Sequence, residues 1–413
     1  MDPKSQTVIL GAGIIGLSTA YYLSESQQNI HIIEPSHELF ASASGLAGGF
    51  IAADWFAPSV APLGGLSFRL HKELAEQHQG KERWGYSLST GTSLSQDVAN
   101  EEEAVLGSGE DWLQNGTSRA EAAGGHSFSE GEGPAWLMRS NGSSLEVISR
   151  DASTAQIDPR RLCQFLLEQC TARGVQLHRP ARATSVSKDA TGVLNGVHVV
   201  SADGSERDLP CTRLVLTAGA WTPKVVSTLF PRAPLRVPIS ALAGHSLLLK
   251  SPRWSAEHEE KGCHAVFATD TLGFSPELFS RIGGEIYIAG LNSTMIPLPD
   301  VPSDCKARDD AMQQLKDVAK TMLGLPGQED DLQVLREGLC FRPVTSSGRP
   351  IISRIPDAKL DMATRSGGEG GVFMAAGHGA WGISQSLGTG KVMAELICGQ
   401  PTSVNIKALA LPA

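Results

Sequence analysis

Between residues 7 and 34 the chain passes through an apolar run, a glycine turn, a helix-like run, a second apolar run and an acid, an order that few folds accommodate. Thr7-Val8-Ile9-Leu10 is short, largely β-branched and apolar, as a strand buried on both faces of a parallel sheet must be. Gly11-Ala12-Gly13-Ile14-Ile15-Gly16 follows at once, and Leu17–Leu23 repeats apolar residues at helical spacing. Ile30–Ile33 then ends in Glu34 and Pro35. Gly11 suits the tight turn, Gly13 lets backbone approach a pyrophosphate, and Gly16 lets the helix lie against the strand. The helix N-terminus offers N–H donors and a positive dipole end to phosphates. Glu34 can accept a hydrogen bond from a ribose hydroxyl and would repel a 2′-phosphate, which disfavours NADP. The unit predicts a dinucleotide site in an α/β domain, and at this point both FAD and NAD are open.

At 413 residues the chain exceeds one simple core, so two closely joined domains are expected. A net charge of −9 without a basic run argues against nucleic acid and anionic membrane surfaces as partners. No run approaches the roughly 20 apolar residues of a membrane span, and Thr7–Leu10 breaks into glycines too soon for a signal peptide. The seven cysteines lack CxxC or metal-ligand spacing, which suits reduced thiols and no metal site. The final Ala-Leu-Pro-Ala is not a peroxisomal address, so the cytosol is the expected location. Glycosylation sequons at Asn115, Asn141 and Asn292 then read as chance matches.

Phe40–Gly49 is small and hydroxyl-rich; composition alone makes it a flexible loop, yet Ser42 and Ser44 could donate to pyrophosphate or ribitol oxygens. A helix is predicted after Asp158, its N-cap, with Pro159 first and Gly174 ending it. Its stripe of Leu162, Phe165, Leu166 and Cys170 makes Cys163 and Cys170 packing residues. Ala183–Ser187 and Val193–Val200 read as strands, with Asp203-Gly204 as a hairpin turn. Asp309–Leu323 reads as a helix with a solvated charged face. Residues 100–148, rich in Gly, Ser and Glu, read as a surface excursion in which Trp112 and Trp136 pack locally or cover a pocket.

Together with Leu214–Trp221 and the late segment Val372–Gly382, these elements resemble the D-amino acid oxidase superfamily of flavoproteins over most of the chain. The resemblance decides for FAD. It implies that Ser42, Ala43, Ser44, Ala47, Gly48 and Gly49 run along the cofactor, and that Val186, Ala218, Gly219 and Trp221 contact it. It further implies that Gly377, His378, Gly379, Trp381, Gly382 and Ile383 pass the flavin ring, with the following helix aiming its N-terminus at the ring's N1–C2=O edge. The implied fold is a Rossmann-like FAD domain from 1–83, 149–224 and 336–413. An interleaved α+β substrate domain on a mixed or antiparallel sheet would take 84–148 and 225–335. Ser44–Phe50, Leu66–Leu74, Trp84-Gly85-Tyr86 and Gly377–Gly382 are similar to a fungal branch that includes an oxidoreductase implicated in late-endosome-to-Golgi transport.

Gly338–Ile352 resembles the segment that precedes the last flavin strand in glycine and sarcosine oxidases. By motif position Arg342 inherits the role of binding a substrate carboxylate, for which a guanidinium's parallel donors are suited; the plainer reading is an arginine paired at a domain junction. Cys340 stands where sarcosine and fructosyl amino acid oxidases carry a cysteine bonded to the flavin, or is simply a buried cysteine beside a non-covalent FAD. His378 is expected to position the flavin or substrate, or to accept a proton. His245 reads as structural, and Arg281 and Tyr287 sit on a Gly-Gly hairpin of the substrate sheet. Lys391 reads as a helix residue and is not placed as an oxygen-activating lysine. The implied reaction oxidises the C–N bond of an amine or amino acid by hydride transfer to the flavin, with molecular oxygen as acceptor. A flavoprotein with mainly a trafficking role and an NAD-dependent dehydrogenase are the alternatives.

Overall fold

The computed structural model describes residues 6–412 apart from 28, 96–128, 131–132, 141, 270–273, 329–330 and 367. Trp112, the sequons at Asn115 and Asn141 and the 100–128 part of the expected excursion lie outside the described residues.

Thr7–Leu10 is buried along its whole length and pairs in parallel with Ile30–Ile33 on one side and Arg213–Leu216 on the other. Gln176–His178 extends the sheet beyond Ile30–Ile33. Beyond Arg213–Leu216 come Gly371–Ala376 in parallel and Ile351–Ile355 antiparallel. Strands from the beginning, middle and end of the chain thus share one six-stranded sheet. Their short Val, Ile and Leu runs are continuous rather than alternating because both faces are covered.

Helices cover one face. Ile14–Leu23 packs against Ser386–Ile397 so closely that a Cβ on Gly390 would lie 2.4 Å from the Ser18 carbonyl carbon. The predicted helix is observed as Pro159–Ala172: Asp158 accepts from the Arg160 and Arg161 N–H groups, and Gly174 follows at φ +88°. The other face is covered by an antiparallel meander, Ala181–Lys188, Leu194–Ser201 and Glu206–Pro210. The expected Asp203-Gly204 turn joins the second of these strands to the third, Glu206–Pro210, whose charged Glu206-Arg207-Asp208 start carries no apolar alternation.

The second sheet has ten strands and is mixed. Gln333–Thr345 forms one edge, followed by Ile239–Lys250, Glu285–Ser293, Glu277–Arg281 and Cys263–Thr269, all antiparallel, and then by Ser87–Ser95 in parallel. Helix Asp309–Leu323 covers one face through Met312, Leu315, Val318 and Met322, and Trp136 is buried in the same core. The opposite face is aromatic: Phe267, Phe279 and Tyr287 meet Phe50 and Trp381 there. Strand alternation divides the two cores, since Leu278 joins the helix side and Phe279 the aromatic side. The expected α/β architecture, a Rossmann-like sheet beside an α+β unit on a mixed sheet, is the one observed. Among the described residues no helix is long and apolar enough to cross a membrane.

Candidate active site

A single cavity runs from the first glycine turn to the late Gly-His loop. At its near end Gly11 adopts φ +112°, and a Cβ there would stand 2.7 Å from the Thr217 carbonyl oxygen. A Cβ on Gly13 would lie 2.9 Å from Ser44 Oγ. Gly11 needs glycine for its dihedral angle as well as its space, since its neighbour is backbone, whereas at Gly13 the neighbour is the end of a side chain. Gly16 does not reach the cavity; a Cβ on it would be 2.0 Å from the Gly11 carbonyl oxygen, so it sets the helix against the turn as expected. Glu34 ends its strand with the carboxylate fixed by the N–H groups of Ala12 at 2.9 Å and Ser36 at 3.0 Å. Burial pushes its pKa upward, against those two hydrogen bonds.

The loop after Pro35 forms one wall, with Ser42, Ala43, Ser44, Ala47, Gly48 and Gly49 all on the lining. Ser44 Oγ accepts from the Ile14 N–H at 2.9 Å and Ser42 Oγ from the Phe341 N–H at 3.3 Å. Each hydroxyl keeps its own hydrogen to donate. Buried Arg281 holds this loop from below, donating to the carbonyls of Ala47 at 2.6 Å and Gly48 at 2.8 Å. Ala218, Gly219 and Trp221 line the opposite side.

The far end gathers Cys340, Arg342, His378, Gly379, Gly382 and Ile383 with Phe279, Tyr287 and Glu277 of the second sheet. Half-buried Arg342 donates through Nη1 to Asn292 Oδ1 at 2.6 Å. Burial raises the pKa of the Cys340 thiol, although Arg342 and Arg336 oppose the shift. The Tyr287 hydroxyl is likewise raised, chiefly by burial; Cys340 and Glu277 push the same way, and Arg342 and a hydrogen bond with Ser246 oppose. His378 is 3% exposed, its Nε2 lies 3.1 Å from Thr389 Oγ1, and burial pushes its pKa down to about 3. His71 contacts the next turn, with Nε2 3.1 Å from the Ile383 carbonyl oxygen.

A family model described as DAO, FAD dependent oxidoreductase, matches residues 6–396. The chain belongs to the DAO family. The nicotinamide alternative falls with that match, because FAD is this family's cofactor. Among curated relatives, the oxidoreductase C1F5.03c of Schizosaccharomyces pombe is 26% identical, covering 99% of this chain and 98% of the relative. TDA3 of Saccharomyces cerevisiae is 23% identical over 99% of this chain and 94% of its own length. The solved glycine oxidase of Geobacillus kaustophilus shares the fold, with a TM-score of 0.71 at 19% identity and 98% of each chain covered.

The DAO cofactor fits the residues present. The glycine cradle that any Cβ would fill stands where a pyrophosphate needs close backbone, and the fixed Glu34 carboxylate stands where a ribose needs an acceptor. Ala12, Ile14, Ile15 and Pro35 also line the cavity, as expected.

Besides Gly16, three expected residues stand off the wall. Val186 lies mid-strand opposite Val197, three residues beyond Ala183; the strand reaches the cavity only through Ala181, Arg182 and Ala183. Gly377, at φ +82°, packs on Thr345 and turns the chain so that His378 faces the cavity. Trp381 packs edge-on against Phe56 and braces the wall from behind. Gly379, Ala380, Gly382 and Ile383 line the cavity, and the expected helix follows them, beginning at Ser386. His245 is buried and accepts from the Arg308 N–H, off the cavity wall. Lys391 pairs with Glu395 along its own helix.

Several site residues escaped the reading of the sequence. Glu277 and Asn292 are two of them. A third is the segment over the cavity mouth, where Trp221 Nε1 donates to the Pro299 carbonyl oxygen at 2.8 Å. There Asp300 takes Arg182 at 2.6 Å and also pairs with Lys224; hydrogen bonds from these two hold its pKa down to about 2.

Proposed function

We propose that this DAO-family protein oxidises the C–N bond of an amino acid or another carboxylate-bearing amine, with dioxygen as electron acceptor. The observation that carries the reading is the guanidinium of Arg342, a half-buried cation on the wall that also presents Cys340 and His378. A guanidinium offers two parallel N–H donors, the arrangement a carboxylate takes up best. The name of the glycine oxidase that shares this fold supports the same substrate class. Bound FAD supplies the acceptor for the hydride leaving the substrate carbon.

The chain supplies orientation and dryness. Gly11, Gly13 and Glu34 hold the dinucleotide end, and the lining residues named above form the remainder of the FAD site. Arg342 anchors the carboxylate, and Glu277, on the same wall, offers the opposite charge to the substrate's nitrogen. Phe50, Phe279 and Tyr287 close the pocket against water. His378 is neutral at physiological pH and positions groups through Thr389 rather than by carrying charge. The division into an FAD domain of 1–83, 149–224 and 336–413 and a substrate domain of the remaining segments follows from the same reading. So does a cytosolic location, which the seven free cysteines suit.

The test is an anaerobic screen of the holoprotein against glycine, N-methylglycine, both enantiomers of the common amino acids and simple amines, following the flavin's visible absorbance. Carboxylate-bearing amines should bleach it, and readmitted air should restore the colour with release of hydrogen peroxide. Arg342→Ala should raise KM roughly 100-fold, the size of a lost charge-assisted anchor, at unchanged flavin content. If no amine or amino acid bleaches the flavin, the oxidase reading fails and a mainly regulatory flavoprotein replaces it.

A further inference from the structure

We infer that Arg281 is a positioning residue of the cofactor site: it aims the N–H groups of Gly48 and Gly49 at the flavin ring and so raises the ring's reduction potential. The inference rests on the reading that places the ring at the far end of the cavity, and not on the choice of substrate.

Strand alternation brings the arginine to this place. Glu277, Phe279 and Arg281 share one face of their strand. The first two line the cavity, whereas Arg281, 2% exposed, stands behind the wall. The neighbouring strand places the Tyr287 ring centroid 5.3 Å from the guanidinium carbon.

Among the described residues, the hydrogen bonds of the guanidinium all go to one loop. Nη2 donates to the Ala47 carbonyl at 2.6 Å and to the Gly48 carbonyl at 2.8 Å, and Nε donates to the latter at 3.1 Å. Fully buried Gln156 adds a donation from Nε2 to the Gly48 carbonyl at 2.5 Å. The loop is also pressed against the aromatic wall: a Cβ on Gly48 would lie 2.4 Å from the Phe279 ring and 2.9 Å from the Tyr287 ring.

Peptide planarity converts this grip into a direction. In a trans peptide the N–H of one residue points opposite to the carbonyl of the residue before it. With the Ala47 and Gly48 carbonyls turned to Arg281, the N–H groups of Gly48 and Gly49 point away from it. Both glycines line the cavity and Arg281 does not, so the two donors face the cavity. Both residues are buried, and neither N–H has a hydrogen-bond partner among the described residues. Buried donors require an acceptor, and the carbonyl oxygens and nitrogens of a flavin ring are acceptors.

The arginine also sets the strength of these donors. A cation bonded to the carbonyl side of a peptide polarises it and strengthens the N–H on the other side. Reduction adds two electrons and a proton to the ring, leaving it one unit more negative. Fixed donors aimed at that growing charge therefore hold reduced flavin more tightly than oxidised flavin.

The test is the midpoint potential of bound FAD in the holoprotein, reduced by dithionite in equilibrium with a dye of known potential. The FAD dissociation constant and Tm are recorded beside it. Arg281→Met should weaken the hold on reduced relative to oxidised flavin at least about tenfold, a potential lower by about 30 mV for a two-electron couple. Arg281→Lys keeps the charge without the fork and should fall between Arg281→Met and wild type. Gln156→Leu removes one bond to the Gly48 carbonyl and should shift the same ratio about threefold. These last two variants decide the matter if Arg281→Met does not fold. A merely structural arginine would lower Tm and FAD affinity but keep the preference for reduced flavin within twofold of wild type. That result overturns the inference and leaves the FAD site standing, and a potential that rises in Arg281→Met overturns it as well. If the potential falls as stated while no amine bleaches the flavin, the inference holds and the substrate reading alone fails. An FAD complex with the ring away from Gly48 and Gly49 would remove the placement and this inference together.

Discussion

The two ends of the cavity are built in opposite ways. The near end comes from one βαβ unit and works mainly through missing side chains: Gly11 and Gly13 leave backbone bare, and Glu34 is fixed by main-chain N–H groups a short distance along the chain. The far end is assembled from separate segments and works through side chains that are present, with Arg342 on one strand, Tyr287 and Asn292 on another and His378 on a late loop. The contrast teaches that one end is spoiled by adding atoms, whereas the other is spoiled by removing or recharging them.

The largest expected effect is at the near end. Gly11→Ala combines a left-handed φ with a 2.7 Å approach to the Thr217 carbonyl oxygen, backbone that cannot swing aside. It should weaken FAD binding by more than about 100-fold, measured by quenching of flavin fluorescence as apoprotein is reconstituted. Wild-type affinity in this variant would remove the distinction between the ends.

Acid should act on the far end. Histidine takes up a proton near pH 6.5, but burial holds His378 down to about 3 and His71 to about 4. Between those values the unfolded chain binds protons that the folded chain refuses. The stability these two neutral histidines contribute is therefore full above about pH 6.5 and is lost as pH falls toward 4, by about 2 kcal/mol for each at pH 5. Tm should drop between pH 7 and pH 5, and His71→Asn should drop less over that interval. A Tm slope unchanged by His71→Asn would show that His71 is not held neutral.

The smallest effect concerns Cys340. Burial keeps it a thiol, which is a poor nucleophile, so non-covalent FAD is expected even though the residue lines the cavity. Acid precipitation should leave the yellow colour in the supernatant, and Cys340→Ser should retain flavin as wild type does. A yellow pellet that turns white in the variant would instead prove a covalent bond.

This division also governs what the sequence revealed. The near end could be read because glycine spacing, strand and acid are neighbours, and the backbone conformation that Gly11 needs is encoded at Gly11 itself. Arg342, Cys340 and His378 were found through motif position. Asn292 was not, because alternation along Glu285–Ser293 would put Leu291 opposite Gly244 until the bulge at Gly290 shifts the register. The mouth was missed for a related reason: Arg182, Lys224 and Asp300 belong to segments that each look solvated, and only the folded chain brings them together. Val186 was assigned to the right strand but lies past its cavity-facing start.

A crystal structure of the FAD complex tests the central claim most directly, because one extended cofactor must bridge these unlike ends. The pyrophosphate should lie over Gly13 beside Ser44, the adenosine ribose on Glu34, and the isoalloxazine ring between Cys340 and the His378–Ile383 turn, with Arg342 facing the substrate side. An isoalloxazine ring lodged away from His378, or a pyrophosphate that leaves the glycine turn uncontacted, would contradict it.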